Sequence, residues 1–309
     1  MKNRLLIAVD ETDASQRAVR YVGHLSNMIQ DMEGVLLHVR PAVNPCAEEA
    51  TRQDALAHKE LRHFKTLQTN ASKTLLEQCR EELAEMGVDV EQIETVSRQP
   101  TAGVAKTILD FGHEKRHTAI VVGRRRLSPL KKPFLGSVSA DLVEHSTSLP
   151  IWIVGNRPPN QRFLVPVDGS ESALRAVDHL SQVFRGHADV AFHLFHVVPR
   201  LVQSCPIDFG PELKRLQRVG RRGVHHCIDN FCAKALHCFK TAGLREDQIQ
   251  IKIAERLAHP GKGILSEINR GDYRTVAIGR RGMSRSYFTG SVSRFLIGKS
   301  AHITLWLVP

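Results

Sequence analysis

One pattern is written twice along this chain, and that duplication constrains the fold more than any other feature. "LLIAVDETDASQRAV" from Leu5 aligns with "FLVPVDGSESALRAV" from Phe163, setting Asp10 against Asp168, Thr12 against Ser170 and Val19 against Val177 at an offset of 158. "LLHVRP" at 36–41 falls on "LFHVVP" at 194–199 with the same offset. Further on, "VVGRRR" meets "AIGRRG" and "LGSVSADL" meets "TGSVSRFL", the offset drifting to 156 and then 154 as loops shorten. Self-similarity over most of a chain means a repeated domain. At 309 residues, each copy has ~150 residues, enough for a core of its own. Between the copies, "GNRPPNQR" carries a Pro-Pro pair and no apolar periodicity, so it reads as a linker. The expected division is a first domain at 1–155, a linker at 156–162 and a second domain at 163–309.

Within each copy, short apolar runs alternate with amphipathic stretches. In the first, "RLLIAV", "GVLLHV", "QIETVS", "TAIVVG" and "PIWIV" predict strands, with helices over 15–28, 48–86, 102–114 and 138–145. Strand and helix in turn imply a parallel sheet covered on both faces. The predicted fold class is α/β, with two tandem doubly wound domains of five parallel strands each and a ligand crevice beyond the carboxyl ends of the strands. The last strands, "PIWIV" and "TLWLV", are apolar and would be open sheet edges unless paired. An internal pseudo-dimer of the two halves is therefore expected, with a further homodimer open to the whole chain.

Composition narrows the setting. No apolar run approaches the ~20 residues of a bilayer span, and Asp10 interrupts the N-terminal run before a signal core forms. A cytoplasmic protein without a membrane partner is expected. Six cysteines in this length read as free thiols. The net charge of +11 attracts polyanions in general. Aromatics make up only 6% and do not interleave with the arginines, so a specific nucleic-acid reader is not expected.

The chemistry concentrates at the predicted strand ends. Asp10 and Asp168 follow a first strand and precede Thr12 or Ser170, which suit a helix cap; either carboxylate is also placed to accept ribose hydroxyls. Gly123 and Gly279 leave buried strands where a missing side chain lets the backbone turn near a ligand. Gly136-Ser137 and Gly290-Ser291 open helices, where free amides suit phosphate oxygens. Arg124, Arg125, Lys131 and Lys132, with Arg280, Arg281 and Arg285, supply counter-charge.

These motifs resemble the universal stress protein family in its tandem form, and the resemblance spans almost every residue. It implies an adenine nucleotide α-hydrolase-like fold, ATP or AMP as ligand with magnesium alongside, and a stress-response sensor with no dedicated catalytic substrate. Carried over by position, it makes Asp10 and Asp168 the adenosine-side acids and Val39 and Val197 the adenine walls. Gly123, Gly136 and Ser137, with Gly279, Gly282, Gly290 and Ser291, become the phosphate loops. The family's nucleotide pattern is Gly-x2-Gly-x9-Gly-Ser/Thr. The first copy has Arg126 in place of the second glycine, and the second keeps Gly279 and Gly282 but has seven residues before Gly290. The second half is accordingly the expected nucleotide holder. A partner-binding protein that has lost the ligand, its protein partner unidentified, and a slow ATP hydrolase are the alternatives, the last lacking an identifiable general base beside the loop.

Two further stretches are read as structural. "HHCIDNFCAKALHC" at 225–238 crowds histidines and cysteines, but helical spacing separates them, so core cysteines and surface histidines are expected rather than a metal site. "GKG" at 261–263 reads as a helix start, and the basic run at 215–222 as a solvated helical face.

Overall fold

A computed structural model describes residues 2–44, 46, 49, 51, 54–125, 136–199, 228–257, 259–280 and 290–309. They divide into two compact units, the first closing at Val154 and the second running from Gly155 to Pro309 in the main.

The first unit alternates strand and helix throughout: β1 (Asn3–Val9), α1 (Asp13–Ser26), β2 (Met32–Val39), α2 (Ala55–Glu85), β3 (Ile93–Arg98), α3 (Val104–Glu114), β4 (Ala119–Gly123), α4 (Ser137–His145) and β5 (Ile151–Val154). The second repeats the order: β6 (Arg162–Val167), α5 (Glu171–Val183), β7 (Ala191–Pro199), α6 (228–241), β8 (Ile249–Leu257), α7 (Pro260–Arg270), β9 (Thr275–Gly279), α8 (Ser291–Lys299) and β10 (Thr304–Val308).

Within each unit the described strand pairings are parallel. In the first unit β1 lies between β2 and β4, with β3 beyond β2 and β5 beyond β4, giving β3-β2-β1-β4-β5. The second unit has the same arrangement, β8-β7-β6-β9-β10. The strand order reverses beside β1 and beside β6, because the chain jumps there from one flank of the sheet to the other. The carboxyl ends of β1 and β4, and of β6 and β9, thus form the switch-point crevices of a doubly wound sheet. The predicted α/β class and the five-stranded parallel sheets are what the chain forms.

Local sequence explains the elements. β1 and β4 are nearly continuous apolar runs because helices cover both faces of the sheet. α1 turns Ala14, Ala18, Val19, Val22 and Leu25 inward at helical spacing. Thr12 caps it by accepting from the Ser15 amide, and Ser170 caps α5 through the Ala173 amide. The long second helix was expected from residue 48; α2 instead begins at Ala55, where the Asp54 side chain accepts from the amides of Leu56 and Ala57. In α6, Ile228, Phe231, Cys232, Ala235 and Phe239 form the buried stripe while His237 faces solvent. Cys232 is thus a core residue, its thiol pKa raised by burial and by nearby Asp229. His225, His226, Cys227 and the basic run at 215–222 lie outside the described residues. Gly261 to Gly263 sit in the first turn of α7, directly after Pro260 at its first position. Among the described residues no helix is long and apolar enough to cross a membrane.

Candidate functional site

At the first switch point the chain encloses a cavity of about 170 Å³. Its walls are mostly apolar: Val9 from the end of β1, Leu37 and Val39 from β2, Val104 and Ile108 from α3, and Val122 from β4. Polar groups converge at its edges, with Asp10, Glu11 and Thr12 following β1, Arg125 following β4, and Gly136 and Ser139 at the start of α4. Apolar walls with a few convergent polar groups are the usual form of a small-molecule site.

Asp10 sits one residue past β1 and is held from two sides. Its Oδ1 accepts from the Thr12 amide at 3.1 Å and from the Thr12 hydroxyl. Its Oδ2 accepts from Nη2 of Arg125 at 2.6 Å. Burial alone would raise this carboxyl's pKa, but the Thr12 hydrogen bonds and the Arg125 guanidinium together bring it below the usual value. Asp10 is therefore ionised at neutral pH.

The arginines after β4 differ in role. Arg124 was expected to supply counter-charge in a loop, but it is buried at 4% exposure and burial lowers its pKa to about 10. Its amide donates to Val154 at 3.0 Å, and Arg17 donates to its carbonyl at 2.9 Å, so this residue prolongs the β4 edge. Arg280 occupies the matching position after β9, 2% exposed, with its amide on Val308. Period-2 alternation carries one step past the glycine, turning the first arginine inward and, in the first half, presenting Arg125 to the cavity.

The two strand-end glycines are packing glycines as well as loop residues. A Cβ on Gly123 would fall on the carbonyl of Ala14, and one on Gly279 would meet the Ser172 carbonyl at 2.5 Å. The helix after the first strand of each half thus presses directly on the end of the fourth. Gly136 and Gly290 are N-caps of α4 and α8 with nearly identical backbones, φ −58°, ψ 156° and φ −56°, ψ 154°, and no side-chain cap. At Gly136 a Cβ would come 3.2 Å from Cδ of Arg125, so the missing side chain makes room for the arginine stem.

Of the residues singled out from sequence, the first half brings Asp10, Val39, Gly123 and Gly136 around the cavity. Ser137 is exposed on the first turn of α4, whereas Ser139, two residues on, is buried and lines the cavity. In the second half Asp168 follows β6 and accepts from the Ser170 amide at 3.0 Å. Val197 lies buried near the end of β7, Gly279 ends β9, and Gly290 and Ser291 open α8. Gly282, Arg126, Lys131, Lys132, Arg281 and Arg285 lie outside the described residues.

Sequence reasoning missed His38. Buried at the end of β2 and lining the cavity, it has Nδ1 hydrogen-bonded to Ser72 Oγ at 2.8 Å, and Ser72 in turn to Ser97 at 2.7 Å. Its Nε2 lies 3.7 Å from Glu11 Oε1. Burial lowers its pKa, only partly opposed by Glu11 and Asp10. The signal was present, since "LLHV" and "LFHV" both place histidine before the wall valine. His196, the counterpart, is hydrogen-bonded through Nδ1 to the Val167 carbonyl at 2.8 Å.

The sequence model of the universal stress protein family matches residues 1–155 and again 159–309. The chain belongs to the universal stress protein family. Universal stress protein YxiE of Bacillus subtilis (strain 168) is 32% identical over 154 residues, which is 50% of this chain and 99% of that protein. Among solved structures, a universal stress protein from Archaeoglobus fulgidus DSM 4304 superposes with a TM-score of 0.63 at 19% identity, covering 100% of this chain and 98% of that one. A functionally unknown protein from Pseudomonas aeruginosa PAO1 gives 0.59 at 14% identity, covering 99% and 92%. In this tandem universal stress protein, each half matches the family and has its own switch point in strand order.

Proposed function

We propose that this universal stress protein is an adenine-nucleotide-binding sensor module whose first half holds ATP or AMP without turning over a dedicated substrate. The cavity between the ends of β1, β2 and β4 carries this reading. It offers apolar walls for a base, an ionised acid for ribose hydroxyls, and a cation beside a helix start for phosphates. Its volume is below the ~300–1,000 Å³ of a closed small-molecule pocket, which suits enclosing the nucleoside end while the phosphates lie outward over α4. Magnesium, in this reading, arrives with those phosphates. The glycine pattern favours the second half; the first is proposed because its described residues bring Asp10, Arg125 and apolar walls around one cavity, while Gly282 and the loop before Gly290 lie outside the described residues. A cytoplasmic setting follows from the reducing-compartment reading of the cysteines and is proposed with it. Denaturing freshly purified protein and analysing the released small molecules by mass spectrometry tests the function. Recovered ATP or AMP is expected; an empty protein that also fails to take up added nucleotide would favour the partner-binding alternative.

A further inference from the structure

Two groups that a nucleotide would need separately are bonded to each other. Arg125 reaches from the end of β4 across the cavity mouth to Asp10 at the end of β1, Nη2 lying 2.6 Å from Oδ2. The other oxygen, Oδ1, is already engaged by the Thr12 amide and hydroxyl. A ribose hydroxyl donating to Asp10 is therefore left with Oδ2, directly beside the guanidinium already seated on it. The arginine stem lies against Gly136 at the start of α4, where phosphate oxygens would sit. One side chain thus touches both the acid, through its guanidinium, and the helix start, through its stem. Both side chains are partly exposed, 49% for Arg125 and 33% for Asp10, so the pair is strong enough to persist and weak enough to exchange.

We propose that Arg125 is a latch that makes the first-half site require phosphate. Without phosphate, Arg125 closes on Asp10 and withholds it from a ribose. A nucleotide's phosphate draws the guanidinium away, forming the stronger charge-assisted contact, and so frees Asp10 for the same ligand's ribose. A neutral nucleoside must crowd in beside the ion pair at Oδ2 and offers the guanidinium nothing in return. The site thereby selects nucleotides over adenosine by an exchange of partners, with no fit test on the base. Among the described residues neighbouring cations do not replace it: Arg124 is buried, and Arg17 donates to the Arg124 carbonyl.

The latch rests on the adenine-nucleotide reading, and Arg125→Met separates the two. Adenosine and ATP are titrated calorimetrically into the full-length wild type and the variant, at low and at high salt. The latch predicts that Arg125→Met binds adenosine up to about fivefold more tightly than wild type and ATP more weakly. In wild type, rising salt should strengthen adenosine binding and weaken ATP binding, and the adenosine trend should vanish in the variant. Wild type that binds ATP, with a variant that binds adenosine no better, overturns the latch and leaves the nucleotide reading standing. Failure of both proteins to bind either ligand overturns both.

Discussion

Gly123 shows how a loop residue that looks reserved for a ligand can be fixed by packing. From sequence it marked the turn out of β4; in the fold its missing Cβ is the space taken by the Ala14 carbonyl of α1. The helix that Thr12 caps, just after Asp10, can approach β4 only because that side chain is absent. Gly123→Ala should therefore lower unfolding stability by about 1–3 kcal/mol, the usual cost of forcing atoms into a packed site, whether or not nucleotide is present. Urea denaturation with and without ATP checks this, and a variant of unchanged stability that only loses ligand binding would refute the packing role. Asp10 and Gly136 were legible from sequence as site residues because strand-end acids and helix-opening glycines announce their positions. His38 was not singled out, because a histidine inside an apolar run reads as a core residue until the hydroxyl of Ser72, 34 positions away, is seen beside it. The division of labour between Arg124 and Arg125 was hidden for a similar reason, since consecutive arginines carry no mark of which one turns inward.

At the level of elements, the alternation of apolar runs with amphipathic stretches located the strands and helices to within a few residues, because a parallel strand buried on both faces leaves an unbroken apolar signature. The helix expected from residue 48 runs across the Asp54 cap because the charged residues around it carry no periodicity of their own; that cap sets where α2 begins. α5 offers a test of how one element's packing governs stability. Its His179 is buried against Trp306 of β10, ring centroids 5.7 Å apart, and burial lowers the imidazole pKa to about 3. The unfolded chain protonates this side chain near pH 6.5 while the folded chain keeps it neutral. The stability it contributes is therefore complete above pH 6.5 and is lost progressively as pH falls from there toward 3. Between pH 7 and 5 the loss should reach about 2 kcal/mol from His179 alone. His179→Leu should flatten the pH dependence of unfolding over that range by about 1 kcal/mol per unit on average. An unchanged slope in the variant would show that the imidazole takes up its proton as readily in the fold as in the unfolded chain.

For the whole molecule, the repeat was the most legible feature, since a constant offset across Asp10 and Asp168, Val39 and Val197 allows only duplicated domains. What the repeat does not reveal is whether two copies of one scaffold keep one function. The halves share strand order, helix caps and glycine-capped α4 and α8. They differ where the ligand would be judged, in Arg126 against Gly282 and in the length of the loop before the fourth-strand helix. A glycine pattern describes backbone freedom, whereas binding depends on which side chains meet, and the first half joins an ionised acid, an arginine and an apolar cleft. The most direct measurement is calorimetric titration of ATP into wild type, Gly136→Asp and Gly290→Asp. A carboxylate at position 136 would repel phosphate from the α4 start and attract Arg125 to itself. The account predicts that Gly136→Asp weakens ATP binding at least about tenfold, the order expected when a charge-assisted contact is lost, while Gly290→Asp retains the first-half site. Full ATP affinity in Gly136→Asp, with loss in Gly290→Asp, would contradict it.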